Sequence, residues 1–394
     1  MQPSEFTSNS PGRLVPTTQN CVAFVPSSIP RVFSLNPKTQ CLLADAENSL
    51  GRLDGIISHL FNPYLISSPF LRREAILSSR IEGTYTSAED MVILEASKEK
   101  SVPLKSRPED TQEVLNYVKA MEYGLKRLGD LPVCLRLIKE LHDRLLRSVR
   151  GSEERPGEFR SHQNFIGKRD DGISLARFVP PPVQEMQLCL DDLERYLNEP
   201  NIDVPLLVQL ALTHYQFEAI HPFRDGNGRV GRLLLPLLLI NRGRLPEPVL
   251  YLSSYFERNN EEYASLLLRV SQRGDYEAWI RFFLQGVVEC SQEAVEQVQA
   301  IRKLHESYLE RFRTARSTAL LQKLIDELFR DPSTTIAKTA KLLGITQAAA
   351  STNIRKLQKA GILAEVTGNK RNQFFLANAI LDFADSPRKP KPNS

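Results

Sequence analysis

The residues best suited to chemistry stand together in one twelve-residue stretch, HPFRDGNGRVGR, which runs from His221 to Arg232. His221 can accept a proton near neutral pH. Asp225 offers the hard oxygen that Mg²⁺ takes when it also holds phosphates. Arg229 and Arg232 are three residues apart, so they share a helix face and can reach phosphate oxygens. The stretch therefore predicts a site for phosphate chemistry.

The glycines of this stretch predict how its backbone is placed. The turn Gly226-Asn227-Gly228 lets N–H groups approach an anion closely, and Leu233 then opens an apolar run. Such a turn leads into a helix N-terminus, where free N–H groups and the helix dipole favour phosphate. The preceding segment, from Asp203 to Ile220, has the apolar spacing of a helix and should deliver His221 to the turn.

The stretch resembles the signature of the Fic family, H-P-F-x-[D/E]-G-N-G-R-x-x-R, at every specified position. Fic proteins move AMP from ATP onto a side-chain hydroxyl of a target protein. The resemblance implies a nucleotidyltransferase with ATP as substrate, His221 as general base and Asp225 as the Mg²⁺ ligand. It also implies a set of residues in contact with ATP: Gly226, Asn227, Gly228, Arg229, Gly231, Arg232 and, further along the chain, the aromatic residue Tyr263.

A second motif lies upstream, at the end of a predicted helix over residues 68–83. Ser68 is suited to cap this helix, with Pro69 in its first turn and Gly83 just beyond its end. The run from Ser78 to Glu82 and Gly83 resembles the inhibitory motif [S/T]-x-x-x-E-[G/N] of Fic proteins. The resemblance implies that Glu82 pairs with Arg232 and inhibits the enzyme. An ordinary helix end is the alternative interpretation.

A short predicted strand, Ile173 to Val179, follows the turn signal Asp170-Asp171-Gly172 and stops at three prolines. Fic proteins carry a β-hairpin flap at this place, which borders the nucleotide and pairs with the backbone of the target. An exposed strand edge suits docking because the target adds to it as another strand. The resemblance assigns the flap to Leu175, Ala176, Arg177 and Phe178.

The C-terminal segment predicts a separate domain over residues 317–380. From Ser317 onward there are 12 Lys and Arg residues and 6 Asp and Glu residues, so this segment is clearly basic. The formal net charge of the whole chain is only +4. Three helices and two strands resemble a winged helix-turn-helix, whose third helix would enter a major groove of DNA. A module used only for protein contacts is the alternative. The basic residues that we expect to face DNA are Arg355, Lys356, Lys370 and Arg371.

The sequence thus predicts a mainly α fold: a Fic-fold helical core with a small β-hairpin flap, followed by the winged helix-turn-helix domain. A Pro- and Ser-rich N-terminus predicts an extended arm, because such a segment has little to bury. An apolar stripe that includes Ala294, Val298 and Ile301 favours a connecting helix, which could also form a homodimer seam. The predicted boundaries are 1–40 for the arm, 41–135 for an N-terminal helical region, 136–295 for the catalytic core, 296–316 for the connecting helix and 381–394 for a disordered tail.

Composition narrows the class of protein further. With 41% hydrophobic and 25% charged residues the chain is typical of globular proteins. No apolar run approaches the roughly 18 residues of a membrane span, and Met1 to Glu5 begin no secretory signal. The five cysteines are odd in number and scattered, which is typical of a reducing compartment. We therefore expect a cytoplasmic protein without a membrane partner.

Three alternatives to AMP transfer stay open on the sequence alone. Doc kinases share the fold and transfer phosphate, but they carry Lys where this chain has Gly228. Some relatives with the inhibitory motif remove AMP, with a glutamate at the place of Glu82 positioning water. The chain could also be a DNA-binding regulator with a largely silent core. None of these readings identifies the target protein, which could include the chain itself.

Overall fold

The computed structural model describes residues 1–17, 21–59, 62, 64–96, 102–167, 172–199, 203–313 and 318–385. The chain divides into two compact units. Unit 1 consists of Met1–Gly55, Lys119–Pro246 and Leu250–Gln292. Unit 2 consists of Ile56–Val118, Glu247–Val249 and Glu293–Ser394.

Most of the described chain is helical, which confirms the predicted mainly α class. The helices are α1 (Pro37–Ser58), α2 (Tyr64–Ile81), α3 (Ala88–Ala96), α4 (Pro108–Arg127), α5 (Leu135–Leu145), α6 (Val183–Asn198), α7 (Leu206–Ile220), α8 (Asn227–Asn241), α9 (Ser253–Arg258), α10 (Asn260–Arg273), α11 (Tyr276–Glu310), α12 (Thr318–Arg330), α13 (Ile336–Leu343), α14 (Gln347–Lys359) and α15 (Asn378–Asp385). The strands are β1 (Gly12–Pro16), β2 (Val22–Pro26), β3 (Ser333–Thr335), β4 (Ala364–Glu365) and β5 (Phe374–Leu376).

The N-terminal segment forms a β-hairpin rather than the expected extended arm. Strands β1 and β2 pair antiparallel, with Leu14 opposite Phe24. Ala23, Phe24 and Val25 are buried. The prediction was wrong because this short apolar run does have something to bury, although the prolines and serines around it lower the average hydrophobicity.

The centre of unit 1 is the pair α7 and α8, which pack against each other. Nearly all of α8 is buried, because the leucines between Leu233 and Leu239 place apolar side chains on every face of the helix. Pro236 lies inside this helix. A Cβ on Gly231 would lie 2.4 Å from Glu218 Oε1, so glycine at this position permits the close approach of the two helices.

Helix α2, which carries the predicted inhibitory motif, belongs to unit 2 and differs from its prediction at its start. It begins at Tyr64, so Pro69 lies inside the helix and Ser68 is not its cap. The Ser68 hydroxyl instead donates to the carbonyl of Arg330, at the end of α12, over 2.7 Å. The predicted end is correct: Gly83 has a φ of 83° and its N–H donates to Arg80 O.

The C-terminal part of unit 2 is a winged helix-turn-helix, with α13 and α14 as the helix pair. Thr335 and Thr346 cap these helices through their side chains. β5 lies between β3 and β4 in one sheet, and β3 was absent from the sequence prediction. The predicted tail at 381–394 is wrong for its first five residues, because α15 continues to Asp385 and buries Leu381 and Ala384. Residues 386–394 lie outside the described part.

The predicted connecting helix at 296–316 is the C-terminal part of the long helix α11. Its apolar stripe, with Ala294, Val298 and Ile301, is buried within the single chain. These residues therefore do not provide the free seam that the homodimer prediction invoked.

Candidate active site

Two helix ends create the turn that holds the predicted catalytic residues. Helix α7 ends at Ile220, and His221 follows in the left-handed conformation, with φ 49° and ψ 60°. Gly226 is also left-handed, with φ 79°, and α8 begins at the next residue. A non-glycine residue with positive φ is uncommon and persists only where its surroundings hold it. We call residues 221–227 the motif turn.

The side chain of Asn227 closes the motif turn from within. Its Oδ1 accepts a hydrogen bond from Phe223 N over 2.8 Å, and its Nδ2 donates to Phe223 O over 2.9 Å. Both ends of the amide are therefore engaged with one residue. The ATP contact predicted at Asn227 would therefore use its backbone N–H at the start of α8.

Arg160 holds the motif turn from outside. Its backbone N–H donates to Pro222 O over 2.9 Å and its Nε donates to His221 O over 3.0 Å. The guanidinium also donates to the carbonyls of His162 and Pro181, and burial lowers the pKa of Arg160 to about 10. A buried cation needs such a set of acceptors. Its position fixes the backbone of the proposed base.

Asn164 adds a further contact by donating from Nδ2 to Phe223 O over 2.9 Å. Sequence analysis assigned no role to Asn164 or Arg160, which lie in a loop about 60 residues before the motif. A lone Arg after a glycine-rich loop carries no signal of its own. The contact becomes visible only once the loop and the motif turn are placed together.

Asp225 lies at the start of α8 with its side chain 25% exposed. Its Oδ1 accepts from Gly226 N over 2.7 Å and lies 3.6 Å from Arg229 Nη2. Gly151, with φ +87°, approaches from the loop after α5, and a Cβ there would lie 3.0 Å from Asp225 Oδ2. A side chain at position 151 would press on the proposed metal ligand, so glycine keeps this space open.

Arg229 and Arg232 are both buried within the first two turns of α8. Burial, together with the nearby positive charge of Arg232, lowers the pKa of His214 to about 3. Two buried guanidinium groups beside the N-terminus of a helix create a strongly positive environment. The arrangement is suited to the negative charge of a nucleotide polyphosphate.

His214 and Tyr263 lie behind α8 in an aromatic cluster with Phe256 and Trp279. His214 Nε2 is 2.7 Å from the Tyr263 hydroxyl and its Nδ1 is 3.3 Å from the carbonyl of Gly231. His214 is therefore a structural histidine whose two ring nitrogens both have partners. Tyr263 is 5% exposed with its hydroxyl at His214, and its contact with ATP stays a prediction.

His142 is a feature of the site that sequence analysis missed. It is buried on α5, and its ring stacks on Phe223 with centroids 3.7 Å apart and planes inclined by 6°. Burial lowers its pKa to about 4. Its spacing on α5 matches that of the apolar residues around it, so the sequence offers no reason to separate it from the core.

The predicted flap contains less strand than expected. Ile166 and Phe178 form one antiparallel bridge, with hydrogen bonds of 2.8 and 3.1 Å in both directions. Ile173 to Leu175 form a 3₁₀ turn instead of the start of a strand, and residues 168–171 lie outside the described part. Leu175 is 71% exposed. We call residues 166–178 the flap segment.

The basic residues predicted to face DNA lie on the surface of the winged helix-turn-helix. Arg355, on α14, is exposed, and so are Lys370 and Arg371 in the wing between β4 and β5. Lys356 is half-buried on α14. The third helix and the wing therefore both present positive charge.

Comparison with protein families agrees with this architecture. Residues 41–126 match the Fic/DOC family N-terminal model, residues 132–239 match the Fic/DOC family model, and residues 318–364 match a winged helix-turn-helix DNA-binding model. The chain therefore contains the two Fic/DOC family domains one after the other, with a winged helix-turn-helix at their C-terminal side.

Curated relatives carry an activity in their names. The chain is 31% identical to "Protein adenylyltransferase Fic" of Drosophila erecta over 221 residues, which cover 55% of this chain and 39% of the relative. It is 29% identical to the protein of the same name from Drosophila virilis over 275 residues, or 68% of this chain and 48% of the relative. The chain thus spans less than half the length of these relatives.

Among solved structures, a Fic family protein from Desulfovibrio desulfuricans G20 aligns with a TM-score of 0.57. The alignment covers 88% of this chain and 97% of that one, at 21% identity. At this identity the likeness establishes the shared fold. Within the described residues, no helix is long and apolar enough to cross a membrane.

Proposed function

We propose that this protein is an adenylyltransferase, which moves AMP from ATP onto a hydroxyl side chain of a target protein or of itself. The observation that carries the proposal is the motif turn: it brings His221, Asp225 and the first N–H groups of α8 together in seven residues, beside two buried arginines. The names of the curated relatives support the same activity.

The transfer consists of one displacement at phosphorus. The hydroxyl oxygen of the target forms a bond to the α-phosphorus, the bond from that phosphorus to the pyrophosphate oxygen breaks, and His221 accepts the hydroxyl proton. The backbone N–H groups of Asn227 and Gly228 would face phosphate oxygens, with Arg229 and Arg232 on the β- and γ-phosphates. These donors are fixed before the reaction, so they need no reorganisation as charge develops.

Asp225 is suited to hold Mg²⁺ together with the nucleotide. Among the described residues, no group of three or more His, Cys, Asp or Glu could hold a metal. Mg²⁺ at phosphate sites usually takes only one or two carboxylates and completes its shell with phosphates and water. The partly exposed Asp225 carboxylate fits that role, and the ion, when bound, would offset charge on the departing pyrophosphate.

Gly228 favours AMP transfer over phosphate transfer, because the Doc kinases of this fold carry Lys at that position. Removal of AMP would use the same turn, with Glu82 as the residue that positions water. The target would dock on the flap segment, whose exposed Leu175 offers apolar surface beside a strand edge.

Regulation by α2 is part of the proposal. Glu82 is exposed at the end of α2 and Ser78 is buried within it. We assign Glu82 to the inhibitory role, in which its carboxylate pairs with Arg232 and competes with the nucleotide phosphate for the same donors. The match of residues 41–126 to the Fic/DOC N-terminal model supports this placement of the motif.

DNA is the partner proposed for the winged helix-turn-helix, through Arg355, Lys356, Lys370 and Arg371. Binding through such contacts falls steeply with salt, because bound counterions are released. Replacing Lys370 and Arg371 by Gln should lower both the affinity and the salt dependence measured by fluorescence anisotropy. A salt dependence unchanged by that double substitution would remove the wing from the interface.

The decisive experiment compares two labels. The purified protein is incubated with Mg²⁺ and ATP labelled at the α-phosphate or at the γ-phosphate, with and without added protein targets. AMP transfer predicts protein-bound label from the α-labelled ATP alone. Label from γ-labelled ATP would instead show phosphorylation, and release of AMP from a labelled target would show the reverse reaction.

A further inference from the structure

The first inference concerns His142, whose two ring nitrogens both meet the backbone around the motif turn. Gly157 N–H donates to Nδ1 over 2.9 Å, and Nε2 lies 3.0 Å from the carbonyl oxygen of Asp225. A backbone N–H can only donate, so Nδ1 carries a lone pair. Nε2 therefore carries the proton and donates to Asp225 O, so the surroundings select one tautomer.

The ring of His142 also fixes the turn by contact. Its face lies on Phe223, and a Cβ on Gly226 would be 3.5 Å from its Cδ2 atom. Phe159 packs on Phe223 with ring centroids 5.2 Å apart. His142 thus joins α5, the loop at Gly157 and the motif turn at the peptide between Asp225 and Gly226.

We propose that His142 is a positioning residue for AMP transfer: by holding the Asp225 carbonyl it orients the Asp225 carboxylate and the first N–H groups of α8. The proposal rests on the proposed function, because it assigns Asp225 to Mg²⁺ and the α8 N-terminus to phosphate. Groups that orient a metal ligand typically change metal affinity or activity by about 10- to 100-fold. We expect an effect of that size from loss of the hydrogen bond alone.

Three variants of the full-length protein separate positioning from packing. His142→Phe keeps a ring that can stack on Phe223 but removes both hydrogen bonds. His142→Gln restores an N–H donor at about the place of Nε2. Tyr215→Phe is the matched control, because it removes a buried hydrogen bond (Tyr215 to Ser271, 3.1 Å) from α7 without contact with the motif turn.

The readouts are the Mg²⁺ concentration needed for ATP binding by calorimetry, kcat for AMP transfer, and the unfolding temperature. His142→Phe should raise the Mg²⁺ requirement and lower kcat, each by about tenfold or more. His142→Gln should recover part of both. Tyr215→Phe should change only the unfolding temperature. If His142→Phe or, should it not fold, His142→Leu, which also removes both hydrogen bonds, matches Tyr215→Phe in Mg²⁺ requirement and kcat, the positioning role is wrong. A wild-type protein that transfers no label refutes the proposed function instead, and the binding readout still decides about His142.

The second inference rests on different contacts, those between α2 and the C-terminal domain within unit 2. Both α12 and α15 pack against α2. Gln297, buried on α11, joins two of these helices: its Oε1 accepts from Arg73 on α2 over 3.1 Å, and its Nε2 donates to Phe383 O on α15 over 3.0 Å. The helix that ends just before Glu82 is thus linked to α15 by the Gln297 amide, in addition to its packing against α12 and α15.

The wing leads into this attachment without a linker. Strand β5 ends at Leu376 and α15 begins at Asn378, with Ala377 N–H donating to Pro332 O over 2.9 Å. Asp385, at the end of α15, accepts from Ala88 N over 2.7 Å. A displacement of the wing would therefore be carried by α15 to α2 and α3.

We infer that the winged helix-turn-helix regulates the enzyme by setting the position of α2, so that double-stranded DNA on the wing changes inhibition by Glu82. This inference rests on the inhibitory role proposed above. A coupling between two such sites is commonly worth about 5- to 150-fold. It requires that a change at Gln297 acts through Glu82 and has no effect without it.

The test measures AMP transfer for Gln297→Leu with Glu82 present and in the Glu82→Gly background. Gln285→Leu is the control: it lies on the same helix and removes a hydrogen bond within that helix, to Glu289 (3.0 Å). Gln297→Leu should raise transfer about fivefold or more with Glu82 present and leave Glu82→Gly unchanged. An equal effect in both backgrounds, or none in either, overturns the coupling, whereas an inactive Glu82→Gly refutes the inhibitory role itself.

Discussion

The motif turn and the flap segment lie in the same unit but are held very differently. The motif turn is fixed by the Asn227 side chain, by Arg160 and by Asn164, all through hydrogen bonds to its backbone. In its described residues the flap segment has one bridge, between Ile166 and Phe178; Ala176 and Phe178 are buried, but the Leu175 side chain points largely into solvent. Chemistry at phosphorus requires a fixed geometry, whereas recognition of a protein chain can form its strand pairing on binding.

The largest expected effect comes from replacing His221, the proposed general base in the motif turn. His221→Ala should lower AMP transfer by about 10²–10⁴-fold, because proton removal belongs to the transition state. ATP affinity should stay close to wild type, since the proposed phosphate donors lie on α8. Label transfer and calorimetry measure the two quantities separately. His162→Ala is the control, because it removes an exposed histidine from the same unit; equal activity of the two variants would exclude His221 as the base.

The support of the motif turn should matter almost as much as its catalytic residue. Arg160→Met keeps a long apolar stem but removes the guanidinium that donates to the carbonyls of His221, His162 and Pro181. Displacement of His221 by about 1 Å can cost roughly 10²-fold in rate. We expect a loss of that size in kcat for AMP transfer, together with a lower unfolding temperature.

Arg155→Met is the matched control for Arg160, because it changes an exposed arginine in the same loop. It should leave kcat within about twofold of wild type, as surface substitutions usually do little. A rate for Arg160→Met close to that of Arg155→Met would show that the motif turn keeps its shape without this support.

This contrast also explains which features could be predicted from the sequence. His221, Asp225 and Arg232 were predictable because their types stand together in the chain. Apolar spacing predicts helices such as α7 and α8 by local rules, whereas the Fic-fold core was implied by the resemblance of the motif. Arg160 and His142 act through contacts with residues about 60 to 80 positions away, so no local pattern separates them from an ordinary loop arginine or a core histidine.

The flap segment shows a feature that the sequence predicted but that the structure forms only in part. The turn signal before Ile173 and the prolines after Val179 predict a strand. Among residues 172–179, all of which the structure describes, Phe178 alone forms a β-bridge, and residues 173–175 adopt a 3₁₀ turn. A strand is defined by its neighbour, and here the partner is one residue, Ile166. The N-terminal hairpin shows the converse, because β1 and β2 pair although prolines and serines surround them.

A substitution in the flap segment should affect only the protein target. Leu175→Asp replaces an exposed apolar side chain by a charge, so docking should lose about the 1.5–3 kcal/mol that burial of a leucine contributes. KM for the target should therefore rise about tenfold or more, while kcat at saturation and ATP affinity stay unchanged. Leu188→Asp provides the control, since Leu188 is another exposed leucine, on α6. A change in ATP affinity for Leu175→Asp alone would mean that the flap segment also shapes the nucleotide site.

Release of inhibition should have a smaller effect, of opposite sign. Glu82→Gly removes the carboxylate that we assign to Arg232, so AMP transfer should rise about fivefold or more. Arg232→Ala should be inactive with or without Glu82, because the phosphate contact is lost in both cases. Rates for wild type, both single variants and the double variant measure this order. No gain from Glu82→Gly would make the end of α2 an ordinary capped helix.

The last prediction concerns the stability of the protein, through the histidine behind α8. His214 is buried, and because Nδ1 faces the Gly231 carbonyl it must carry the proton there, so Nε2 accepts from Tyr263 O–H. Its pKa is lowered to about 3, against about 6.5 in an unfolded chain. Between these values the unfolded state binds more protons, so stability falls as pH drops below about 6.5, by up to about 1.4 kcal/mol per pH unit.

Tyr263→Phe tests this arrangement and the predicted ATP contact together. Loss of the donor to His214 Nε2 should lower the free energy of unfolding by about 1 kcal/mol, measured by urea denaturation at pH 7. If Tyr263 acts only through His214, no contact with ATP is lost, so ATP affinity stays within about twofold of wild type. A tenfold change would require a loss of roughly 1.4 kcal/mol in binding free energy. If it also contacts ATP, affinity falls while Tyr215→Phe, which loses a similar buried hydrogen bond on α7, leaves it unchanged. The two variants therefore distinguish a residue that only supports helix α8 from one that also binds the nucleotide.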